Sequence, residues 1–127
     1  MPNEPIDKKC SVQLPNSDRN VFVQLQENRP EGVEYQIDLK SPQGKVINVV
    51  PRGRRQLPVL HDLGRSANAL RGYTLACVGA VSFKVGAKWK LKLETAVNNT
   101  VVNTCGPGEI DATQGGMSTF RFICDFK

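Results

Sequence analysis

Along most of this chain apolar and polar residues alternate one for one, the period of a β-strand with one face in a core and the other in water. The clearest case is Val33 to Lys40. There Val33, Tyr35, Ile37 and Leu39 fall on one side, and Glu34, Gln36, Asp38 and Lys40 on the other. Asn20 to Glu27 repeats the pattern with Val21, Val23 and Leu25 inward. Between the two, Arg29-Pro30-Glu31-Gly32 reads as a hairpin turn, Pro setting φ and Gly admitting a positive φ. Lys45 to Val50 is a further strand, entered through the turn tetrad Ser41-Pro42-Gln43-Gly44. Lys88 to Thr95 alternates most sharply, with Trp89, Leu91 and Leu93 inward and Lys88, Lys90, Lys92 and Glu94 outward.

The same reading places strands at Gly72 to Val78, Val81 to Val85, Thr100 to Cys105 and Ser118 to Phe126. The last carries Phe120, Phe122, Cys124 and Phe126 on one face, and a turn at Asn98-Asn99 precedes Thr100. Pro58 makes Gln56 to Leu60 extended and edge-like, because proline cannot donate to a ladder. His61 to Leu70 is the one stretch with room for a short helix, and Gly64 weakens it. Gly106-Pro107-Gly108 and Gln114-Gly115-Gly116 mark an expected long, mobile loop. About eight short strands with little helix predict an all-β fold, an antiparallel β-sandwich, with a closed barrel as the alternative. Residues 10–127 form the single domain, and the polar residues 1–9 are expected to be a flexible tail.

Composition narrows the class. With 39% of its 127 residues apolar, the chain is too apolar for disorder. No run of about 20 apolar residues offers a helical membrane span. The start, Met1-Pro2-Asn3-Glu4-Pro5, has no apolar leader, so the sequence reads as cytosolic or as a mature secreted form. A formal charge of +5 fits acidic partners, and equally fits ordinary solubility. The four cysteines, Cys10, Cys77, Cys105 and Cys124, suit a two-disulfide framework in a secreted chain and reduced, buried thiols in a cytosolic one. Four cysteines allow three pairings, among which sequence cannot choose. The preferred expectation is Cys10–Cys124, tying the first strand to the last, with Cys77–Cys105. No close cysteine pair and a single distant histidine argue against zinc, and no cofactor is expected.

Candidate chemistry is sparse. His61 is the only histidine, and its sequence neighbour Asp62 is badly placed to orient it for a triad. Glu34, Asp38 and Glu94 fall on solvent faces, and no phosphate-binding glycine motif occurs. The chain is therefore expected to be a binder and not an enzyme. Arg52, Gly53, Arg54 and Arg55 make the densest basic cluster, read as a flexible loop tip suited to phosphate or acidic groups. No aromatic residues interleave with it, which argues against a single-strand nucleic-acid platform. Lys88, Lys90 and Lys92 form a second basic row, with Lys84 on the next strand. Such lysines serve solvation, protection of a sheet edge, or binding. Asn98-Asn99-Thr100 is an N-glycosylation sequon at a turn.

A cysteine before the first alternating strand, the strands at Val21–Leu25 and Val33–Leu39, and the terminal Phe120–Phe126 strand carrying Cys124 together resemble the ToxA-like effectors of plant-pathogenic fungi. Within that family the chain is most similar to the secreted-in-xylem group. The resemblance spans residues 10–127 and rests on architecture. It implies a fibronectin-like β-sandwich, a Cys10–Cys124 staple, secretion, and virulence through binding a host plant protein. It also implies recognition by a plant immune receptor and, in some members, cooperation with a second secreted fungal effector. Where ToxA displays an Arg-Gly-Asp loop, this chain has Arg52-Gly53-Arg54. The competing expectation is an extracellular module that binds carbohydrate or anionic lipid.

Overall fold

The computed structural model describes residues 5–28, 32–83, 87–112 and 116–127. Nine strands and one helical turn follow in chain order among the described residues: β1 (Ile6–Val12), β2 (Asn20–Glu27), β3 (Gly32–Lys40), β4 (Val46–Gln56), β5 (Leu60–Ser66), α1 (Ala67–Leu70), β6 (Thr74–Phe83), β7 (Ala87–Val97), β8 (Thr100–Ala112) and β9 (Gly116–Phe126). They form a five-stranded sheet, β1-β9-β6-β3-β4, and a four-stranded sheet, β5-β2-β7-β8. Every pairing is antiparallel except β1 with β9, where the two ends of the chain run in parallel.

The alternation read from sequence sets what is buried. Val21, Val23, Leu25, Trp89, Leu91 and Leu93 from the smaller sheet join Tyr35, Ile37, Leu39, Leu75, Phe122 and Phe126 from the larger in one apolar cluster. Trp89 is fully buried, and its Nε1 donates to Glu27 Oε2 at 2.7 Å, so the indole keeps its polar partner inside the core. At the centre of β6, Gly79 lies between Tyr35 of β3 and Phe120 of β9. A Cβ there would collide with the Glu34 carbonyl and with both aromatic side chains.

Four expectations are corrected. Residues 6–9, expected in a loose tail, belong to β1 and pair with Phe120–Ile123. Gly106-Pro107-Gly108 is not in a mobile loop but inside β8, where Gly106 and Pro107 together face Lys92 in a bulge. An edge strand tolerates that proline, since nothing beyond it requires its missing N–H. The segment 61–70 is mostly strand, and only Ala67–Leu70 turns helical, capped by Ser66 Oγ accepting from Ala69 N at 3.1 Å. Gly72–Val78 and Val81–Val85 were expected as separate strands, but β6 runs through Gly79 without a break. The turn at 29–31, Lys84, and the glycine-rich stretch 113–115 fall outside the described residues.

The cysteines are also connected differently. Cys10 and Cys124 do stand side by side in the β1–β9 register. The disulfide nevertheless joins Cys10 to Cys105, across from the larger sheet to the smaller. The strand order explains this, because β1 and β8 are the edge strands at the same side of the two sheets. Cys77 and Cys124 remain thiols and are buried. They are diagonal neighbours on β6 and β9, since Leu75 faces Cys124 and Cys77 faces Phe122. Diagonal positions are farther apart than directly opposed ones, the wrong geometry for a bond without backbone movement.

Candidate binding surfaces

The outer face of the smaller sheet carries the lysine row. Because β7 alternates, burying Trp89, Leu91 and Leu93 turns Lys88, Lys90 and Lys92 outward, as expected from sequence. Asn28 fixes the neighbouring end of β2 to this strand: its Oδ1 accepts from Lys90 N at 2.8 Å, and its Nδ2 donates to the Lys88 carbonyl at 3.2 Å. On the other side the β8 bulge pushes Pro107 out opposite Lys92. The result is an open groove of about 300 Å³, lined by Gln26, Glu27, Asn28, Lys90, Lys92 and Pro107. Neither Lys90 nor Lys92 forms an ion pair, for the two ion pairs among the described residues are Arg52–Glu34 and Arg121–Asp7. Two ammonium groups with no ion partner among the described residues, beside the Gln26 amide, suit a carboxylate or another anionic group.

The basic cluster at Arg52 to Arg55 is not a loop tip. It lies in β4, the edge strand of the larger sheet, and its three guanidiniums diverge. Pro51 and Arg52 together face Gln36 in a bulge. Arg55 folds back into that bulge and donates to the carbonyls of Tyr35 at 3.0 Å, Gly53 at 3.1 Å and Pro51 at 2.6 Å. It thereby satisfies acceptors that the interrupted ladder leaves open. The same guanidinium lies 4.9 Å from the Tyr35 ring centroid. Arg52 pairs with Glu34 at 2.8 Å, with both side chains half exposed. Arg54 is exposed and lies over Gly32. Arg55 is therefore structural, and only Arg52 and Arg54 present charge outward.

His61 takes part in a polar cluster that links the two sheets. Its Nε2 and the Tyr35 hydroxyl share a hydrogen bond of 2.6 Å, and the rings meet edge to face at 5.6 Å. Burial pushes the Tyr35 phenol up to about 12, against the opposing pull of Arg55. Burial, then Arg55, holds His61 below its ordinary 6.5. Asp62 faces away, accepting from Asn20 Nδ2 at 3.0 Å and from Gly64 N at 2.8 Å. The pairing with Tyr35 depends on the contact of β3 with β5, which sequence spacing does not reveal. The two free thiols are chemically quiet: burial pushes Cys77 up, and pushes Cys124 up to about 12. Among the described residues no group of three or more His, Cys, Asp or Glu side chains could hold a metal ion. Nor is any helix long and apolar enough to cross a membrane.

Asn98 and Asn99 form the two-residue tip of the β7–β8 hairpin, with φ of 53° and 62°, between the paired residues Val97 and Thr100. Asparagine tolerates this left-handed conformation, which the tight hairpin requires. All three sequon residues are exposed.

No protein-family model matches the chain, and no curated protein matches it. Among solved structures, a domain of unknown function, DUF4425, from Bacteroides vulgatus ATCC 8482 is similar with a TM-score of 0.47 and 15% sequence identity. The match covers 87% of this chain and 98% of that one.

Proposed function

We propose that this chain is a secreted, non-enzymatic binding domain, a ToxA-like β-sandwich effector that uses its basic sheet face to hold an acidic surface of a host plant protein. The observation that carries the reading is the groove in which Lys90 and Lys92 stand beside Gln26 without an ion partner among the described residues. A disulfide between sheet edges supports an oxidising compartment, where such bonds persist. The engagement of His61 with Tyr35, and of Asp62 with Asn20 and Gly64, supports a non-catalytic role, because neither is paired as a triad needs. Burial of Trp89 weighs against the carbohydrate-module alternative, which would display that ring.

The test is capture from host plant extract with three forms of the protein: wild type, Lys90→Glu/Lys92→Glu, and Arg52→Ala/Arg54→Ala. The lysine pair is expected to lose a specific partner at least tenfold, with unchanged thermal melting, while the arginine pair retains it. If all three forms capture the same set in the same amounts, the basic face is not the binding surface. Partner loss confined to the arginine variant would move the site to the β4 edge.

A further inference from the structure

The sequon on the β7–β8 hairpin has a structural setting that its tripeptide alone does not convey. Ala96 lies on the outer face of the smaller sheet, and Asn98 follows two residues on, at the hairpin tip. The β2–β7 register sets Phe22 opposite Ala96 on that face. Phe22 and Asn98 line one groove, with Ala96 and Asn20 at the neighbouring positions. Phe22 stays partly exposed opposite the small Ala96, and a second open groove, about 400 Å³, runs along it. Asp18, Arg19, Asn20, Phe22, Asn98 and Asn99 line this groove. Three of these are already committed or only lend backbone. Asp18 accepts from Asn68 Nδ2 at 3.1 Å, Asn20 donates to Asp62, and Asn99 completes the turn. The Arg19 side chain makes no hydrogen bond or ion pair among the described residues and is exposed.

We propose that Asn98 is an N-glycosylation site and that the first sugar of its glycan is seated in this groove against Phe22 and Arg19. The proposal rests on the secreted reading given above. The acceptor geometry is open, because Asn98 and Thr100 are both exposed at a hairpin tip. Transfer joins Asn98 Nδ2 to the anomeric carbon of a lipid-linked oligosaccharide pyrophosphate. The bond from that carbon to the pyrophosphate oxygen breaks, the lipid pyrophosphate departs, and the amide proton passes to the transferase's base. The sugar then starts at the rim of the groove that Phe22 and Arg19 line. Its C–H face can lie on the electron-rich ring, and the Arg19 guanidinium can donate to an acetamido carbonyl or a hydroxyl. A seated sugar covers apolar surface that otherwise meets water, so it stabilises the hairpin as well as shielding it.

The experiment secretes the full chain from a eukaryotic host behind a cleavable leader, then compares intact mass and melting temperature before and after enzymatic removal of N-glycans. The expected result is a glycan that Asn98→Gln abolishes, and a fall of about 3 °C in melting temperature on deglycosylation. In Phe22→Ala the glycan is retained but the fall is lost. A secreted, folded product bearing no sugar on Asn98 overturns the site. Occupancy with the same thermal change in Phe22→Ala overturns the seat. Thiol mapping of the same product tests the secreted reading separately, through the state of Cys10 and Cys105.

Discussion

Individual residues here are fixed by close neighbours, and two of them give sharp tests. Gly79 leaves no space for a methyl group, because backbone of β3 and the Phe120 ring occupy the position. Gly79→Ala is expected to lower stability by about 2–3 kcal/mol, read as a reduced urea midpoint. The second test is His61. Burial and Arg55 keep its folded pKa below 6.5, so the unfolded chain takes up the proton first. The stability from neutral His61 is therefore complete above 6.5 and is lost as pH falls from there toward the lower folded value. His61→Gln removes this titration. Urea unfolding at about pH 7.5 and about pH 5 should show a smaller loss in His61→Gln than in wild type. Equal losses would mean that His61 titrates alike in both states.

Strands and turns carry the next layer. The β7–β8 hairpin depends on two residues with positive φ, Asn98 and Asn99. Asn99→Val should cost about 1–2 kcal/mol, because a β-branched side chain is poorly tolerated in the left-handed region, whereas Asn99→Gly should be neutral or stabilising. Equilibrium denaturation of both variants checks the contrast. Single strands were legible in the sequence because alternation is local: β2 was read with its observed bounds, and the inward set of β7 was read correctly. Breaks were over-read. Gly79 and Gly106-Pro107-Gly108 look like punctuation in one dimension. In three dimensions Gly79 admits Phe120 and Tyr35, and Gly108 admits Ile6 of β1. The lysine groove was half legible, since the row follows from period two while Gln26, Asn28 and Pro107 come from strand pairing and a bulge. The arginine cluster was misread as a loop because its anchoring carbonyls belong partly to β3.

The order of strands decides how the whole molecule is tied together. Parallel pairing of β1 with β9 sets Cys10 beside Cys124, so the expected proximity of the chain ends holds. Sequence gives no sign that β8 lies at the facing edge, and hence none that Cys105 is the true partner. The bond spans 95 residues, for which the loop-entropy model gives about 4–5 kcal/mol. Cys10→Ser/Cys105→Ser should lose stability of that order, while Cys124→Ser leaves the disulfide in place. Both are read by denaturant unfolding without reductant. The chain ends are held further by Arg71, whose guanidinium donates to the carbonyls of Leu14 at 3.0 Å, Pro15 at 2.9 Å and Lys127 at 3.2 Å.

The edge-to-edge staple and the oxidising compartment it supports are tested together by thiol labelling of the native and then the denatured protein, followed by peptide mapping without reductant. The prediction is a Cys10–Cys105 peptide pair, no labelling in the native state, and labelling of Cys77 and Cys124 only after denaturation. A Cys10–Cys124 peptide would contradict the staple. Labelling of all four cysteines would contradict both the staple and the secreted binding domain built on it.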